Sequence, residues 1–252
     1  ATDTYNTAVG FEAGASVTTG VNNVLIGGLA GDALTDADNN VAMGKSALTA
    51  DTLGSKSVAV GTSALQAQNF TTATDSFNTA VGYNAGVAVT TGVQHTIIGA
   101  LAGDTLTDSG PVVAVGYEAL STEDRDGGGS TAIGYQALKT QNAGTTAFNT
   151  AVGWTAGTAV TTGVKNTIIG GLAGDAITTA DENTLVGYVA GSSLTTGEDN
   201  VLIGSLTGDA LTEGKDNVAV GRNSLSADTK GKQSVAIGAS ALSSQNFTTL
   251  TD

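Results

Sequence analysis

Apolar, mostly β-branched residues recur along the chain in short groups that each end at a glycine. Counting each of these glycines as position 0, position −1 is Val or Ile in thirteen of fourteen copies, and position −3 is Val or Thr in all fourteen. Ten of the thirteen intervals between the glycines are 17 residues long. A β-branched group closed by a glycine is typical of a short strand followed by a turn. The glycines are Gly10, Gly27, Gly44, Gly61, Gly82, Gly99, Gly116, Gly134, Gly153, Gly170, Gly187, Gly204, Gly221 and Gly238.

Self-similarity at a fixed period indicates a stacked array, in which each repeat buries its apolar face against its neighbours. The 36 glycines and the many Thr and Val residues disfavour helix. We therefore predict an all-β fold, a parallel β-roll or β-solenoid of about 14 coils with a 17-residue repeat. Residues 1–252 are predicted to form one continuous array.

The repeats are of two kinds. In eight copies position +4 is Gly and position +7 is aliphatic, as in Val160. In the other six, position +4 is Leu and position +7 is Asp, Glu or Gln, as in Leu138 and Gln141. Each coil thus supplies one aliphatic side chain from either of two places, which predicts that both places fill the same narrow core.

Position −2 is apolar as well: Ala in nine copies and Leu or Ile in five. If positions −3 and −1 fill the core of their own coil, position −2 faces the other way. A strand that is apolar on both faces is buried on both faces, which predicts that other chains cover this side in a homotrimer. The predicted interface residues are Leu25, Ile97, Ile168, Leu185 and Leu202.

Aromatic residues are concentrated at position +1, mainly in coils whose position −2 is Ala. They are either a discontinuous surface stripe on which sugars stack, or rings that pack over the chain–chain seam beside small residues. The six candidates are Phe11, Tyr83, Tyr117, Tyr135, Trp154 and Tyr188.

Position +8 is Thr in ten copies. One interpretation is a corner ladder, in which the side chains hold the turns of successive coils together. The other is an ordered hydroxyl array, with Thr also at position +9 in several coils, that binds ice or sugar. Acidic residues such as Asp36 and Asp108 at position +9 interrupt that array.

The net charge of −14 argues against nucleic acid as a partner, since binding to phosphates requires a basic surface. No apolar run is long enough to span a membrane, so no membrane insertion is expected in this segment. Acidic turns at Asp32, Asp104, Asp175 and Asp209 are candidates for weak Ca²⁺ binding, because calcium takes oxygen ligands. They show no calcium-loop signature, so we assign no metal residues and expect no other cofactor.

No catalytic constellation emerges from the sequence. The one histidine, His95, stands at position −4, where most copies have Asn, and we interpret it as a polar rung rather than a catalytic base. The glycines at 127–129 lack the Lys-Ser/Thr of a phosphate-binding loop. We therefore predict that the chain is not an enzyme.

Both ends of the sequence repeat internal segments. Residues 1–6 echo residues 73–78, and residues 245–249 repeat residues 68–72. The chain thus begins and ends in the same phase, and we expect it to be a segment of a longer fibre. Binding is expected either at a tip outside this segment or in the insertions at 70–74 and 124–129.

Two segments carry a resemblance to a known family. Residues 233–238, Gln-Ser-Val-Ala-Ile-Gly, and residues 56–61, Lys-Ser-Val-Ala-Val-Gly, resemble the head repeats of trimeric autotransporter adhesins. Those heads fold as left-handed parallel β-rolls with three chains around one axis, in coils shorter than 17 residues. Residues 78–86 also resemble repeats of bacteriophage tail-fibre proteins. The resemblance implies an extracellular homotrimer that binds a host receptor or glycan.

The predicted function is a structural and adhesive fibre segment, the shaft or head of a phage tail fibre on the virion surface. A trimeric adhesin on the bacterial cell surface is the first alternative. An ice-binding β-solenoid that uses the Thr columns is the second, and it belongs to a different class of protein.

Overall fold

The computed structural model describes residues 3–123 and 128–250, in two compact units, Ala1–Gly128 and Gly129–Asp252. The described residues form strands, turns and bends, and no helix. In the first unit the strands are β1 (Thr7–Val9), β2 (Val24–Ile26), β3 (Val41–Met43), β4 (Gly54–Ser55), β5 (Val58–Val60), β6 (Thr74–Asp75), β7 (Thr79–Val81), β8 (Thr96–Ile98) and β9 (Val113–Val115). In the second they are β10 (Thr131–Ile133), β11 (Thr150–Val152), β12 (Thr167–Ile169), β13 (Thr184–Val186), β14 (Val201–Ile203), β15 (Val218–Val220) and β16 (Val235–Ile237).

Each unit is a parallel β-solenoid. In the first, the main sheet has the order β1-β2-β3-β5-β7-β8-β9, and the short strands β4 and β6 pair separately. In the second, β10 to β16 pair in sequence order. The main-sheet pairs of each unit are parallel and join equal repeat positions, as Val24 opposite Val41 does. The predicted all-β class and 17-residue repeat are therefore confirmed for each unit.

The glycine at position 0 is required by the stacking of one coil on the next. Gly27 has a φ of +134°, and a Cβ on it would lie 2.6 Å from the carbonyl of Gly44. Side chains rarely adopt that φ, and no side chain fits in that space.

The prediction that position −2 faces a partner chain is wrong. Leu25, Ile97, Ile168, Leu185 and Leu202 are at most 1% exposed within their own chain, where they fill the core of each coil. Positions −3 and −1 point outward instead. Side chains alternate between the two faces of a strand, so only every second one points into the coil. Here the inward side chains are those of positions −4 and −2.

Positions +4 and +7 share one core, as predicted. A Cβ on Gly157 would lie 3.0 Å from Leu138 Cδ2 and 3.3 Å from Val160 Cγ2, so the two aliphatic groups meet at the same point. Leu138 adopts a left-handed φ of 48°, which costs an ordinary residue about 1–2 kcal/mol. Burying the leucine side chain contributes about 1.5–3 kcal/mol and offsets that strain.

The buried asparagines at position −4 form a ladder that runs from coil to coil. Asn183 Oδ1 accepts a hydrogen bond from the backbone N–H of Asn200, 17 residues later, at 3.0 Å. Asn183 Nδ2 donates to the carbonyl of Gly197, 14 residues later, at 3.0 Å. The same pair of bonds recurs at further asparagines of both units: Asn6, Asn23, Asn40, Asn78, Asn149, Asn166, Asn200 and Asn217.

A second buried network replaces part of the ladder where two Leu-type coils are adjacent. Gln68 donates through Nε2 to Asp51 Oδ2 at 2.6 Å and to Ser57 Oγ at 2.9 Å. Asp51 Oδ1 accepts the backbone N–H groups of Gly54 and Phe70, both at 3.0 Å. These bonds satisfy the carboxylate of Asp51, which is fully buried. Burial of a charge without such partners would carry a large free-energy penalty.

We expect Leu138→Ala to lower the free energy of unfolding by about 2–5 kcal/mol, because it leaves a cavity in a close-packed core. Leu242→Ala is the matched control at the same repeat position, where the side chain is 43% exposed. Its loss should be clearly smaller in the same denaturant titration. Equal losses would contradict the shared-core arrangement.

Two neighbouring isoleucines provide a test of strand orientation. Ile97 is fully buried, whereas Ile98 is 39% exposed. We expect Ile97→Asp to abolish the β-sheet circular dichroism of the purified chain, because it places a carboxylate in the coil core. Ile98→Asp should retain that signal. A folded Ile97→Asp protein with an unfolded Ile98→Asp protein would reverse our assignment of the two faces.

Candidate functional site

The outward face of each sheet is formed by positions −3 and −1. Their side chains are half-buried in most coils, because neighbouring strands cover their flanks but nothing covers their tips. At position −1 several are 37–40% exposed: Met43, Ile98, Ile133, Ile169 and Ile203. None of the 28 residues at these two positions is charged. Each unit therefore carries an uncharged, β-branched outward face, a feature typical of interaction surfaces.

The six predicted aromatic candidates lie beside this face, on the chain surface. Phe11, Tyr83 and Tyr117 belong to the first unit and are 43–73% exposed. Tyr135, Trp154 and Tyr188 belong to the second and are 42–59% exposed. Tyr135 and Trp154 stack with centroids 6.0 Å apart and planes 12° apart.

The threonines at position +8 form the corner ladder that was one of the two interpretations. The hydroxyl of Thr161 donates to the carbonyl of Thr178 at 3.0 Å, and the hydroxyl of Thr195 donates to the carbonyl of Thr212 at 3.1 Å. Thr18, Thr35, Thr90, Thr178 and Thr212 make the same bond. Donor hydrogens committed to backbone carbonyls are no longer free to bind an external ligand.

The acidic turns do not converge. Asp32 accepts a hydrogen bond from the hydroxyl of Thr49. Burial raises the pKa of Asp175 and of Asp209, which weakens their affinity for a cation at acidic pH. Within residues 3–123 and 128–250, His, Asp and Glu form no group of three that could hold a metal ion.

The insertions predicted to bulge are only partly described. In the first, Phe70 is 6% exposed and packs beneath Gly54, while residues 71–73 are exposed. Residues 124–127 of the second lie outside the described part of the chain.

The buried network that joins Asp51, Gln68 and Ser57, here called the acid–glutamine network, is the feature that sequence reasoning missed. Its signal is present in the sequence: each pair of Leu-type coils has an acid at position +7 first and Gln second. The pairs are Asp51 and Gln68, Glu123 and Gln141, and Asp228 and Gln245. In each second coil position −4 is Ser rather than Asn, as at Ser57, Ser130 and Ser234.

His95 occupies position −4 but interrupts the asparagine ladder. It is 1% exposed, and neither ring nitrogen has a hydrogen-bond partner among the described residues. Burial lowers the pKa of His95 to about 4. The coil between His95 and Val112 thus lacks the two bonds that an asparagine at position 95 would make.

Comparison with protein-family models, with curated proteins and with solved structures found no match to this chain. In the described residues no helix has the length and hydropathy needed to cross a bilayer.

We expect acidification to weaken the fold locally at His95. The unfolded histidine binds a proton below about pH 6.5, and the folded one only near pH 4. Its contribution is therefore complete above pH 6.5 and falls as the pH drops towards 4, by about 3 kcal/mol per chain. Thermal melting from pH 7 to pH 4 measures this loss.

His95→Asn is the matched variant, since asparagine is the usual residue at this position. It should melt higher than the wild type. The difference in melting temperature should grow as the pH falls, because only the wild type loses the contribution of His95, whereas carboxylates titrate in both proteins. A constant difference across that pH range would contradict the assignment to His95.

Proposed function

We propose that this chain is a segment of a homotrimeric, extracellular adhesive fibre, most consistent with the tail fibre of a virion. The observation that supports it best is the uncharged outward face at positions −3 and −1. Interface centres are depleted of charged residues, whereas this chain carries a net charge of −14 elsewhere. These uncharged rows also recur with the period of the coils, so copies aligned in parallel bring equal rows together.

The proposed interface is therefore formed by the outward side chains at positions −3 and −1. A closed cyclic assembly covers the same face on every copy and leaves none of these rows in water. Position −2, which the sequence suggested for this role, is needed inside the coil together with position −4. Ile169, at 39% exposure, is representative of the new interface, and Ile168 beside it is core.

A fibre of this kind is expected to be stiff. Within each unit strand pairing joins successive coils, and the asparagine ladder and the threonine corners join most of them, so bending would break several buried hydrogen bonds at once. The repeated coil supplies rigidity and spacing, and attachment to a host receptor or glycan is then a surface property.

A trimeric adhesin on a bacterial surface remains the first alternative, because the same face and the same rigidity serve it equally. The sequence that flanks this segment in the gene would distinguish them: a membrane anchor for the adhesin, a tail-attachment domain for the fibre. The ice-binding alternative has less support, since the hydroxyls at position +8 are bonded to backbone carbonyls.

Sedimentation equilibrium of the whole chain tests the proposal. We expect three times the 24.6 kDa of one chain. Ile169→Asp should reduce the assembly to monomers, because it brings three carboxylates into an apolar seam. Thr162→Asp is the control: it adds the same charge at an exposed residue of position +9, off the face, and should remain trimeric. A monomeric wild type would refute the homotrimer.

A further inference from the structure

The aromatic column of the second unit has a gap with a ring on each side. Along position +1, Tyr135 and Trp154 are followed by Gly171 and then by Tyr188. Trp154 and Tyr188 are 55% and 59% exposed. Gly171, in the coil between them, contributes no side chain.

The orientation of Trp154 leaves one ring face uncovered by its neighbours in this column. Tyr135 stacks on one face with its plane only 12° from that of the indole. Because the coils of Tyr135, Trp154 and Gly171 stack in sequence order, the opposite face is on the side of the Gly171 coil. On the far side of that coil, Tyr188 Cδ2 lies 3.7 Å from the place where a Cβ on Gly171 would be.

The width of this gap matches a single flat ring. The backbones of Trp154 and Tyr188 are two coil steps of about 4.8 Å apart, or about 10 Å, and the Tyr188 ring lies within 3.7 Å of the place of a Cβ on Gly171. A ring stacked between two others needs about 3.5–4 Å on each side, or about 7–8 Å in all. A ring placed over Gly171 would therefore lie at stacking distance from Tyr188, with Trp154 on its other side.

The fold does not require glycine at position 171. Its φ lies outside the left-handed region, and a Cβ would make only ordinary contacts at 3.7 Å or more. Other coils place Lys45, Ala100 or Arg222 at the same position. This contrasts with the glycines at position 0, which the stacking of coils enforces.

The lining of the gap is uncharged. The residues at position +1 of the three coils, Trp154, Gly171 and Tyr188, carry no charge. With a chain of net charge −14 around it, such a lining favours neutral ligands over acidic ones. The C–H face of a pyranose is neutral and apolar, and its rim carries hydroxyls that remain in water. Sugars of this kind stack well on indole and phenol rings.

We propose that the gap over Gly171, between Trp154 and Tyr188, binds one neutral sugar ring of a glycan. The proposal rests on the adhesive function above and assigns it a ligand class and a place. Trp154 supplies the main stacking surface, Tyr188 closes the opposite side, and the missing side chain of Gly171 provides the space.

Trp154 is the one tryptophan of the chain, so its fluorescence reports directly on the gap. Titration of the whole chain with cellohexaose, maltohexaose and hexa-N-acetylchitohexaose should give a saturable change in emission for at least one of them. Polygalacturonate, which is acidic, should give none. No change with any of the three neutral sugars, or a change with polygalacturonate alone, would overturn the proposal.

Gly171→Val fills the gap and should weaken the sugar response at least tenfold while the melting temperature holds. Gly28→Val is the matched control at the same repeat position, between Phe11 and Lys45, and should respond as the wild type does. Equal responses of the two variants would refute the site. Sedimentation of the same samples separates the proposals: a trimer without sugar binding overturns the gap alone, and a monomer overturns the homotrimer.

Discussion

The asparagine ladder is the constraint on which the rest of each unit depends. Where position −4 is asparagine, its side chain satisfies a backbone N–H at the start of the next strand, and its amide satisfies a turn carbonyl. Both partners lie a whole coil away in sequence, 17 and 14 residues. An unpaired buried polar group costs about 1–3 kcal/mol, so the coils that follow an asparagine are held at the 17-residue length. The asparagine ladder thereby fixes the length of these coils, and additional residues are accommodated in the turns of other coils.

The narrow core follows from the way in which the asparagine ladder stacks the coils. With asparagine occupying one wall and a strand residue at position −2 another, each coil has room for one more aliphatic group, supplied by position +4 or by position +7. Leucine at position +4 is used despite its left-handed backbone, since filling the core outweighs the strain. Where position +7 is released from the core it becomes polar. It then joins a buried network that includes Ser57 and a carboxylate at Asp51.

Because the interior is satisfied within each chain, the outward face is free for other purposes. Its rows contain no charge, and the aromatic column beside them is exposed. The proposed assembly and the proposed sugar site use different columns of that surface, at positions −3 and −1 and at position +1. His95 is the exception in the interior: a ladder position with a titratable side chain and no hydrogen-bond partner in the described structure.

The sequence by itself determined the all-β class, the 17-residue coil, the two coil kinds and their shared core, because these depend on spacing and side-chain volume alone. It did not determine which face of each strand is inside. Ala or Leu at position −2 and Val or Ile at position −1 are all apolar, so hydrophobicity does not distinguish the two parities. The tertiary structure decided it through Asn at position −4, whose amide finds its partners in the next coil only when that parity points inward. The burial of Asp51 was also decided there, by backbone donors on a turn that no local pattern predicts.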